Sequence, residues 1–167
     1  MEMAKESLEM KRKILESLTE AGLYPYSQFY LRNVKAGFGD YWKNHFSTIG
    51  LIAMNECCLN FLGCDIASEA GMSFATEVMD FMRDKLMEFQ DETGNIYNLE
   101  ATPAEGVSYG IARKDKAEFA DIIVANEAEY RRGAEPYYTN STALPVGFSD
   151  DLFKVMRDDA NISLDMK

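Results

Sequence analysis

Segments with helical periodicity make up most of this chain, and only three short segments have the composition of strands. These strand candidates are residues 95–101, 122–125 and 136–142, and helical segments alternate with them. Alternation of this kind predicts a helix-rich α/β fold. Because three strands cannot close into a barrel, we expect either a small α/β fold in its own right or part of a larger sheet.

Two helices have well-marked ends. The first stops at Gly22 and places apolar residues at three- and four-residue steps, which predicts an amphipathic helix with this apolar face: Met10, Ile14, Leu18 and Ala21. The second should begin near Ser68 and end just before Gly94. Its inner side is expected to carry Phe74, Val78, Phe81 or Met82, Leu86 and Phe89.

The segment between these helices is less regular. Residues 23–39 contain Pro25, several aromatic residues and two glycines, which predict an irregular connection packed by its aromatic side chains. The stretch from Ser47 or Thr48 to Phe61 is apolar on most faces and is followed by Gly63. A buried helix is therefore expected there.

The second half of the chain contains a complete helix-start pattern. Thr102 is placed to cap the helix, Pro103 suits the first helical position, and Glu105 closes a capping box. The backbone donors of such a start could face an anion, but Glu105 can satisfy them itself, so the structural interpretation is favoured. This helix should run to about Lys116, and Ser149 can cap a final one.

The length and charge of the chain limit the classes of function it can have. Its 167 residues suffice for a single domain, 1–167, and 47% hydrophobic with 27% charged residues is ordinary globular composition. Seventeen Lys and Arg against 28 Asp and Glu give a formal net charge of −11, which repels nucleic-acid backbones and anionic membranes. Both partners are disfavoured, whereas backbone N–H groups can still bind a nucleotide locally.

Residues that often carry chemistry are few. The three cysteines, Cys57, Cys58 and Cys64, predict reduced thiols in a cytoplasmic protein, and we expect them in core packing because no Cys-x-x-Cys pair suggests a metal site. The single histidine, His45, has no Gly-x-Ser-x-Gly motif beside it and is expected to be structural. We expect no leader, no membrane-spanning segment and no glycine-rich phosphate loop.

A run of short polar side chains lies between apolar residues, and it consists of Tyr138, Thr139, Asn140, Ser141 and Thr142. Hydroxyl and amide groups at a strand end can make several neutral hydrogen bonds to phosphate or sugar oxygens. A plain turn explains the same residues equally well. The pattern alone leaves both interpretations open.

Three blocks of the sequence are distinctive: HFSTIGL at 45–51 with MNE at 54–56, LEATPAEG at 99–106, and GAEPYYTNST at 133–142 with LPV at 144–146. In order and spacing they resemble the anaerobic, class III ribonucleoside-triphosphate reductase family. The similarity extends over nearly the whole chain, and the last two blocks are the most specific to the family.

The resemblance implies that this chain is part of a ten-stranded α/β barrel. It also implies reduction of ribonucleoside triphosphates to deoxyribonucleotides by radical chemistry. In the family the Asn-Ser block lies near the substrate, so substrate-binding roles carry over to this loop. The implied residues are, in decreasing order, Asn140 and Ser141, then Thr139 and Thr142, with Thr102 and Glu105 at the helix start as secondary candidates.

Other parts of the family's machinery lie outside the matched stretch. The family uses a glycyl radical made by an S-adenosylmethionine iron-sulfur activase, and a structural zinc near the radical glycine, both C-terminal of this stretch. The reactive finger-loop cysteine is N-terminal of it, and the helical cysteines here do not correspond to it. Gly110 also stands where relatives commonly have an arginine. We therefore expect no catalytic residue, metal or bound cofactor in this segment.

The resulting hypothesis is a reductase segment that contributes substrate-pocket residues and is inactive alone. Its expected partners are a nucleoside triphosphate, the remaining reductase segments and the radical activase, with homo-oligomers where sheet edges are exposed. An alternative from another class is a nucleotide-binding or assembly module from a split or decayed reductase gene. A third is an acidic helical interaction protein without a ligand.

Overall fold

The structure of the protein, a computed structural model, describes residues 1–101, 104–144, 147 and 149. It divides into two compact units: unit 1 comprises residues 1–49 and 82–99, and unit 2 comprises residues 50–81 and 100–167. The fold is α/β and rich in helices, as expected from the sequence. That residues 1–167 form a single domain stays a prediction. Among the described residues, no helix has the length and apolar character needed to cross a membrane.

Unit 1 begins with α1 (Glu2–Glu20), which confirms the predicted helix and its end before Gly22. The predicted apolar face is wrong, because Met10, Ile14 and Ala21 are exposed, whereas Thr19 is buried.

Near the C-terminal end of α1, the Glu16 carboxylate accepts the backbone N–H groups of Tyr41 at 2.9 Å and Trp42 at 3.3 Å. It also pairs with Lys35 at 2.9 Å. These contacts hold the 40–45 turn against α1.

The connection at 23–39 differs from the prediction. It forms two short helices, α2 (Pro25–Tyr30) and α3 (Arg32–Phe38), instead of an irregular segment. Pro25 can start α2 because the first helical position needs no N–H donor, and Gly39 ends α3 in a left-handed conformation with φ +88°. The aromatic side chains are exposed rather than packed, and these are Tyr26, Phe29, Tyr30 and Phe38.

Two short strands pair with each other. β1 (Ser47–Gly50) lies beside β2 (Tyr97–Glu100), and β2 confirms the strand predicted at 95–101. The helix predicted from Ser47 is wrong for this part of the chain, since a short apolar run does not distinguish a strand from a helix. The Thr48 hydroxyl donates to Asn98 Oδ1 at 2.7 Å across the pair. The presence of a partner strand therefore decides the conformation here.

The longest helix, α5 (Glu69–Thr93), confirms the limits predicted from Ser68 to Gly94. At its start the Ser68 hydroxyl accepts the N–H of Gly71 at 3.0 Å. Beyond its end Gly94 has φ +67°, a left-handed conformation that glycine adopts without strain. Both ends are therefore determined by residues close by in the chain.

The inner face of α5 is partly as predicted. Its buried hydrophobic residues are Ala75, Met79, Met82, Leu86 and Phe89. Of the other predicted residues, Phe74 and Val78 are half-buried and Phe81 is 57% exposed. In the first half of α5 the buried face therefore lies one position later in the sequence than predicted. An apolar stripe about 100° wide contains adjacent apolar residues, so the periodicity does not show which of them is buried more deeply.

Unit 2 contains α4 (Met54–Leu62), α6 (Glu105–Glu118) and α7 (Glu127–Tyr130), together with the first part of α5. The buried residues of its main core cluster are Met54, Cys58, Ile66, Ala75 and Leu144. Ala53, which precedes α4, has a left-handed φ of +65° and separates β1 from the helix. The predicted helix is therefore confirmed only from Met54 onward, and it is buried only in part, since Cys57 and Phe61 are exposed.

The last two predicted strands, after residue 120, do not form in the described chain. In these segments, two asparagine side chains bond backbone groups that would otherwise pair with a neighbouring strand. Asn60 accepts the N–H of Ile123 at 2.8 Å and donates to the carbonyl of the same residue at 2.9 Å. Asn126 accepts the N–H of Tyr137 at 3.2 Å. These side chains satisfy the backbone without a ladder.

The start of α6 is later than predicted. Ala104, and not Thr102, precedes the first helical residue, and its non-helical backbone (φ −103°, ψ 44°) delays the helix. The N–H of Ser108 bonds the Ala104 carbonyl at 2.7 Å and closes the first turn there. Outside the described residues lie Thr102, Pro103, the side chain of Glu105 and the final helix predicted after Ser149.

Gly71→Ala tests the close approach of α5 to the preceding loop. A Cβ atom at Gly71 would overlap the carbonyl group of Asp65. We expect this substitution to lower the free energy of unfolding by about 2 kcal/mol, as overpacking does. The matched control, Gly110→Ala in an open position of α6, should raise it by about 0.5–1 kcal/mol. Urea unfolding measures both, and equal stabilities would contradict the packing.

Candidate functional site

The predicted polar loop (residues 139–142) lies in unit 2 beside the start of α4. The N–H groups of Ala53 and Met54 donate to the carbonyls of Thr139 at 2.9 Å and Ser141 at 3.1 Å. A helix start leaves its first N–H groups without helical partners. The two loop carbonyls therefore complete the start of α4 and attach the polar loop to it.

A buried carboxylate fixes the polar loop. Glu56, in the first turn of α4, is 1% exposed, and its Oε2 accepts both the N–H (2.9 Å) and the hydroxyl (2.8 Å) of Thr139. Its Oε1 accepts the side-chain amide of Asn55 at 2.9 Å, and Asn55 in turn accepts the N–H of Ile66 at 3.2 Å. These donors are neutral, so the buried charge is stable only while they remain aligned.

Sequence reasoning did not single out Glu56. It stands in the apolar stretch that was predicted to be a buried helix, where a glutamate is an unusual residue to bury. The first turn of α4 suits a negative charge because the N-terminal end of a helix carries partial positive charge. An acidic residue within an apolar stretch was the signal available in the sequence.

The four residues of the polar loop differ in accessibility. Asn140 is half-buried and forms an isolated antiparallel bridge with Ile52, while Thr139, Ser141 and Thr142 are buried. Ser141 has φ +48°, which is uncommon for a residue with a Cβ atom. Its Oγ is buried without a hydrogen-bond partner among the described residues. The positive φ and the unsatisfied buried hydroxyl are both unusual for a plain turn.

A cavity of about 320 Å³ lies beside the polar loop. Thr139 and Asn140 line it, together with Ser108 from α6 and with residues 137, 138, 143 and 144. Ser141 and Thr142 are not among the residues that line it. Sequence reasoning missed Ser108, which comes to the cavity only through the packing of α6. Among the described residues that line this cavity, none has a charged side chain, so the side-chain groups available for hydrogen bonds are neutral.

Tyr138 lines both this cavity and a second one of about 450 Å³. Its hydroxyl donates to Asp115 Oδ2 at 2.8 Å. Burial raises the pKa of Tyr138 well above its usual value, and the hydrogen bond to the Asp115 carboxylate raises it further. Tyr138 is therefore a neutral group beside the polar loop. The walls of the second cavity are largely apolar and include Ile52, Phe61, Ile111 and Ile122.

The cysteines and the histidine have structural surroundings. Cys58 is buried in the core of unit 2, as expected, whereas Cys57 is exposed and Cys64 is half-buried. His45 is exposed, and its ring packs against that of Trp42 with the centroids 4.8 Å apart. Within the described part of the chain, no three His, Cys, Asp or Glu side chains are grouped as metal ligands would be.

The sequence profile of the family described as anaerobic ribonucleoside-triphosphate reductase matches residues 1–163. This chain belongs to that family. The resemblance seen in the sequence is thereby confirmed, and the family consists of oxidoreductases of the glycyl-radical class. Among curated proteins, none matches the chain.

Solved structures of the anaerobic ribonucleotide reductase from Thermotoga maritima have a similar fold. One, with citrate in the active site, has a TM-score of 0.71 and 22% identity, and the match covers 99% of this chain and 28% of that chain. Another, in complex with dATP and CTP, has a TM-score of 0.72 and 21% identity, with 99% and 26% covered. The chain thus spans about a quarter of these reductases. The separate nucleotide-binding or assembly module is not favoured.

Glu56→Gln tests how strongly the buried carboxylate holds the polar loop. Glutamine keeps the shape but turns an NH₂ donor toward other donors. We expect the free energy of unfolding to fall by about 2–3 kcal/mol, as when hydrogen bonds to a buried charged group are lost. Glu77→Gln, exposed on α5, is the control and should change it by less than about 0.5 kcal/mol. Similar melting of both variants in calorimetry would refute the role of Glu56.

The neighbouring cysteines should differ in reactivity, because the thiolate is the reactive form. Burial raises the pKa of Cys58 to about 11, so it should resist iodoacetamide in the folded protein near neutral pH. Burial also raises the pKa of Cys57, but this thiol is exposed and should react at least about tenfold faster. Timed alkylation with peptide mapping measures both rates, and denatured protein serves as the control. Equal rates in the folded protein would contradict the burial of Cys58.

Proposed function

We propose that this chain is part of the catalytic barrel of an anaerobic ribonucleoside-triphosphate reductase and contributes residues to its substrate pocket. The main support is the cavity of about 320 Å³ beside the polar loop, lined by Ser108, Thr139 and Asn140. The ligand is a nucleoside triphosphate, bound here through phosphate or ribose oxygens. Membership of the family, and the dATP and CTP bound by a structural relative, support this ligand class.

The cavity suits one end of a nucleotide better than a whole one. Pockets that enclose small-molecule ligands commonly have about 300–1,000 Å³, and this cavity lies at the lower limit. Its hydroxyl and amide groups can bond oxygen atoms without adding charge. On a chain with a formal net charge of −11, such groups and backbone N–H donors are suited to hold a phosphate or a ribose.

The residues of the polar loop have separate roles in this proposal. Asn140, at the cavity wall, orients the ligand through its side-chain amide. Ser141 is a substrate contact through its hydroxyl, which is unsatisfied among the described residues, while Thr139, which lines the cavity, and Thr142 stay weaker candidates. Glu56 positions the loop by holding Thr139. A loop held in place before binding pays a smaller ordering cost when the ligand arrives.

The start of α6 is the second element of the proposed pocket. Ser108 lines the cavity from the N-terminal part of this helix, where backbone N–H groups favour anions. Thr102 and Glu105, the secondary candidates from the sequence, precede Ser108 by six and three positions. They stay secondary candidates in this proposal.

The proposal assigns the radical chemistry to other parts of the reductase. The glycyl radical made by an S-adenosylmethionine iron-sulfur activase, the reactive cysteine and the structural zinc are then supplied outside this segment. Cys58 is unsuited to a thiyl role because it is buried in the core of unit 2. The chain alone is then inactive, and it acts in the cytoplasm with the remaining reductase segments.

Asn140→Ala tests the proposed pocket. Titration of CTP or ATP into the chain, followed by NMR line broadening, should show saturable binding. The variant should bind at least about fivefold more weakly, as expected for loss of a hydrogen bond worth about 1 kcal/mol. The matched control, Asn33→Ala on exposed α3, should bind as the unmodified chain does. Absence of saturable binding, or equal weakening in both variants, would overturn the pocket.

An anaerobic assay with the radical activase tests the inactivity of the chain. We expect no deoxynucleotide from the chain alone, since the groups that form the radical are assigned to other segments. A complete reductase of the family is the positive control. Deoxynucleotide formation by this chain without other segments would refute the proposal.

A further inference from the structure

A small cavity in unit 1 has a composition that the proposed function does not explain. It has a volume of about 240 Å³ and lies between one side of α1 and the 42–47 segment. From α1 its lining is Leu8, Lys11, Arg12 and Leu15, and from the other segment it includes Trp42 and Phe46. The positions on α1 have the spacing of one helix face, so they form a continuous strip.

Arg12 supplies a fixed positive charge to this cavity. Its guanidinium donates to the carbonyl of Trp42, to the carbonyl of His45 at 2.7 Å and to the hydroxyl of Ser47 at 2.9 Å. These acceptors are neutral. Its Nε is a buried donor without an acceptor among the described residues. The guanidinium is therefore held in place by contacts that do not neutralise its charge.

The acidic residues one turn away from Arg12 on α1 are engaged elsewhere. Glu9 accepts the hydroxyl of Tyr97 at 2.6 Å, and Glu16 accepts the N–H groups of the 40–45 turn. The described lining of the cavity contains no carboxylate, and the exposed Lys11 adds a second cation. Two cationic side chains, Lys11 and Arg12, therefore line this cavity on a chain whose formal net charge is −11.

Apolar groups flank this basic pair. Leu8 and Leu15 are seven residues apart, which is about 10.5 Å along the axis at about 1.5 Å per residue. Side chains on one face of an extended peptide recur at every second residue, so two apolar residues four steps apart, about 13 Å, can contact both leucines with an acidic residue between them on the same face. Phe46 is 60% exposed and Trp42 is half-buried, so aromatic surface is also accessible.

From this juxtaposition we propose that the cavity binds a short acidic peptide segment, in which a glutamate or aspartate lies between two apolar residues. The carboxylate pairs with Lys11 and Arg12, and the apolar side chains cover Leu8 and Leu15. The cavity is smaller than the roughly 300–1,000 Å³ of pockets that enclose small-molecule ligands, so it suits one side chain of a larger partner. It shares no lining residue with the cavity beside the polar loop, so the two proposals are independent.

Trp42 provides the readout, because it is the single tryptophan of the chain and lines the cavity. The probe is a capped pentapeptide, leucine-alanine-glutamate-alanine-leucine, and its control has glutamine in place of glutamate. We expect a saturable fluorescence change with the glutamate peptide and an affinity at least about fivefold lower for the glutamine peptide. Binding of the glutamate peptide should weaken at about 0.5 M salt, which screens charges.

Lys11→Glu is the test variant, because Arg12 also holds the 42–47 segment. Lys114→Glu is the matched control, with the same charge change at an exposed position of α6 that does not line this cavity. Peptide affinity should fall at least about tenfold in the first variant and less than about twofold in the second. The proposal is overturned if both variants lower the peptide affinity equally, or if the glutamate and glutamine peptides bind with equal affinity. It is also overturned if the fluorescence change does not saturate. A response to pyrophosphate that depends on Lys11, without one to the peptide, also overturns it in favour of a phosphate site.

Discussion

The buried carboxylate of Glu56 is the contact on which the arrangement of the polar loop depends. It joins α4 to Thr139 across 83 positions of sequence and receives both the backbone and the side-chain donor of that residue. A charge in such a place is stable only with aligned donors, so it selects one loop conformation. The same arrangement brings Asn140 to a cavity wall and keeps Ser141 at a positive φ. The strain at Ser141 is tolerated because the surrounding contacts determine its position.

The cavity beside this loop is small and its described lining is neutral, and in our proposal it holds one part of a larger ligand. The family match covers residues 1–163, yet the chain spans only 28% of a reductase of similar fold. A segment of that size can supply groups that orient a substrate, and our proposal leaves the reactive groups to the rest of the enzyme. Orientation is a major part of what a protein contributes to a reaction.

Net charge is a poor guide to the surfaces of this chain. A formal charge of −11 opposes binding to extended anions, but it does not describe any one site. On α1 the carboxylates of Glu9 and Glu16 are bound to neighbouring donors, which leaves the basic pair Lys11 and Arg12 beside an apolar cavity. Glu56 is enclosed among donors. Local hydrogen bonding therefore decides which charges a partner meets.

Features that depend on near neighbours in the chain were predictable: the limits of α1 and α5, strand β2 and the family blocks. The substrate roles of Thr139 and Asn140 stay predictions. Apolar periodicity and glycines at helix ends act within a few residues, so they leave a pattern. The remaining features depend on contacts between residues that are distant in the chain. β1 is a strand because β2 pairs with it, Asn60 and Asn126 take the bonds of two expected strands, and Ser108 and Glu56 reach the site only through packing. Such contacts leave no period in the sequence.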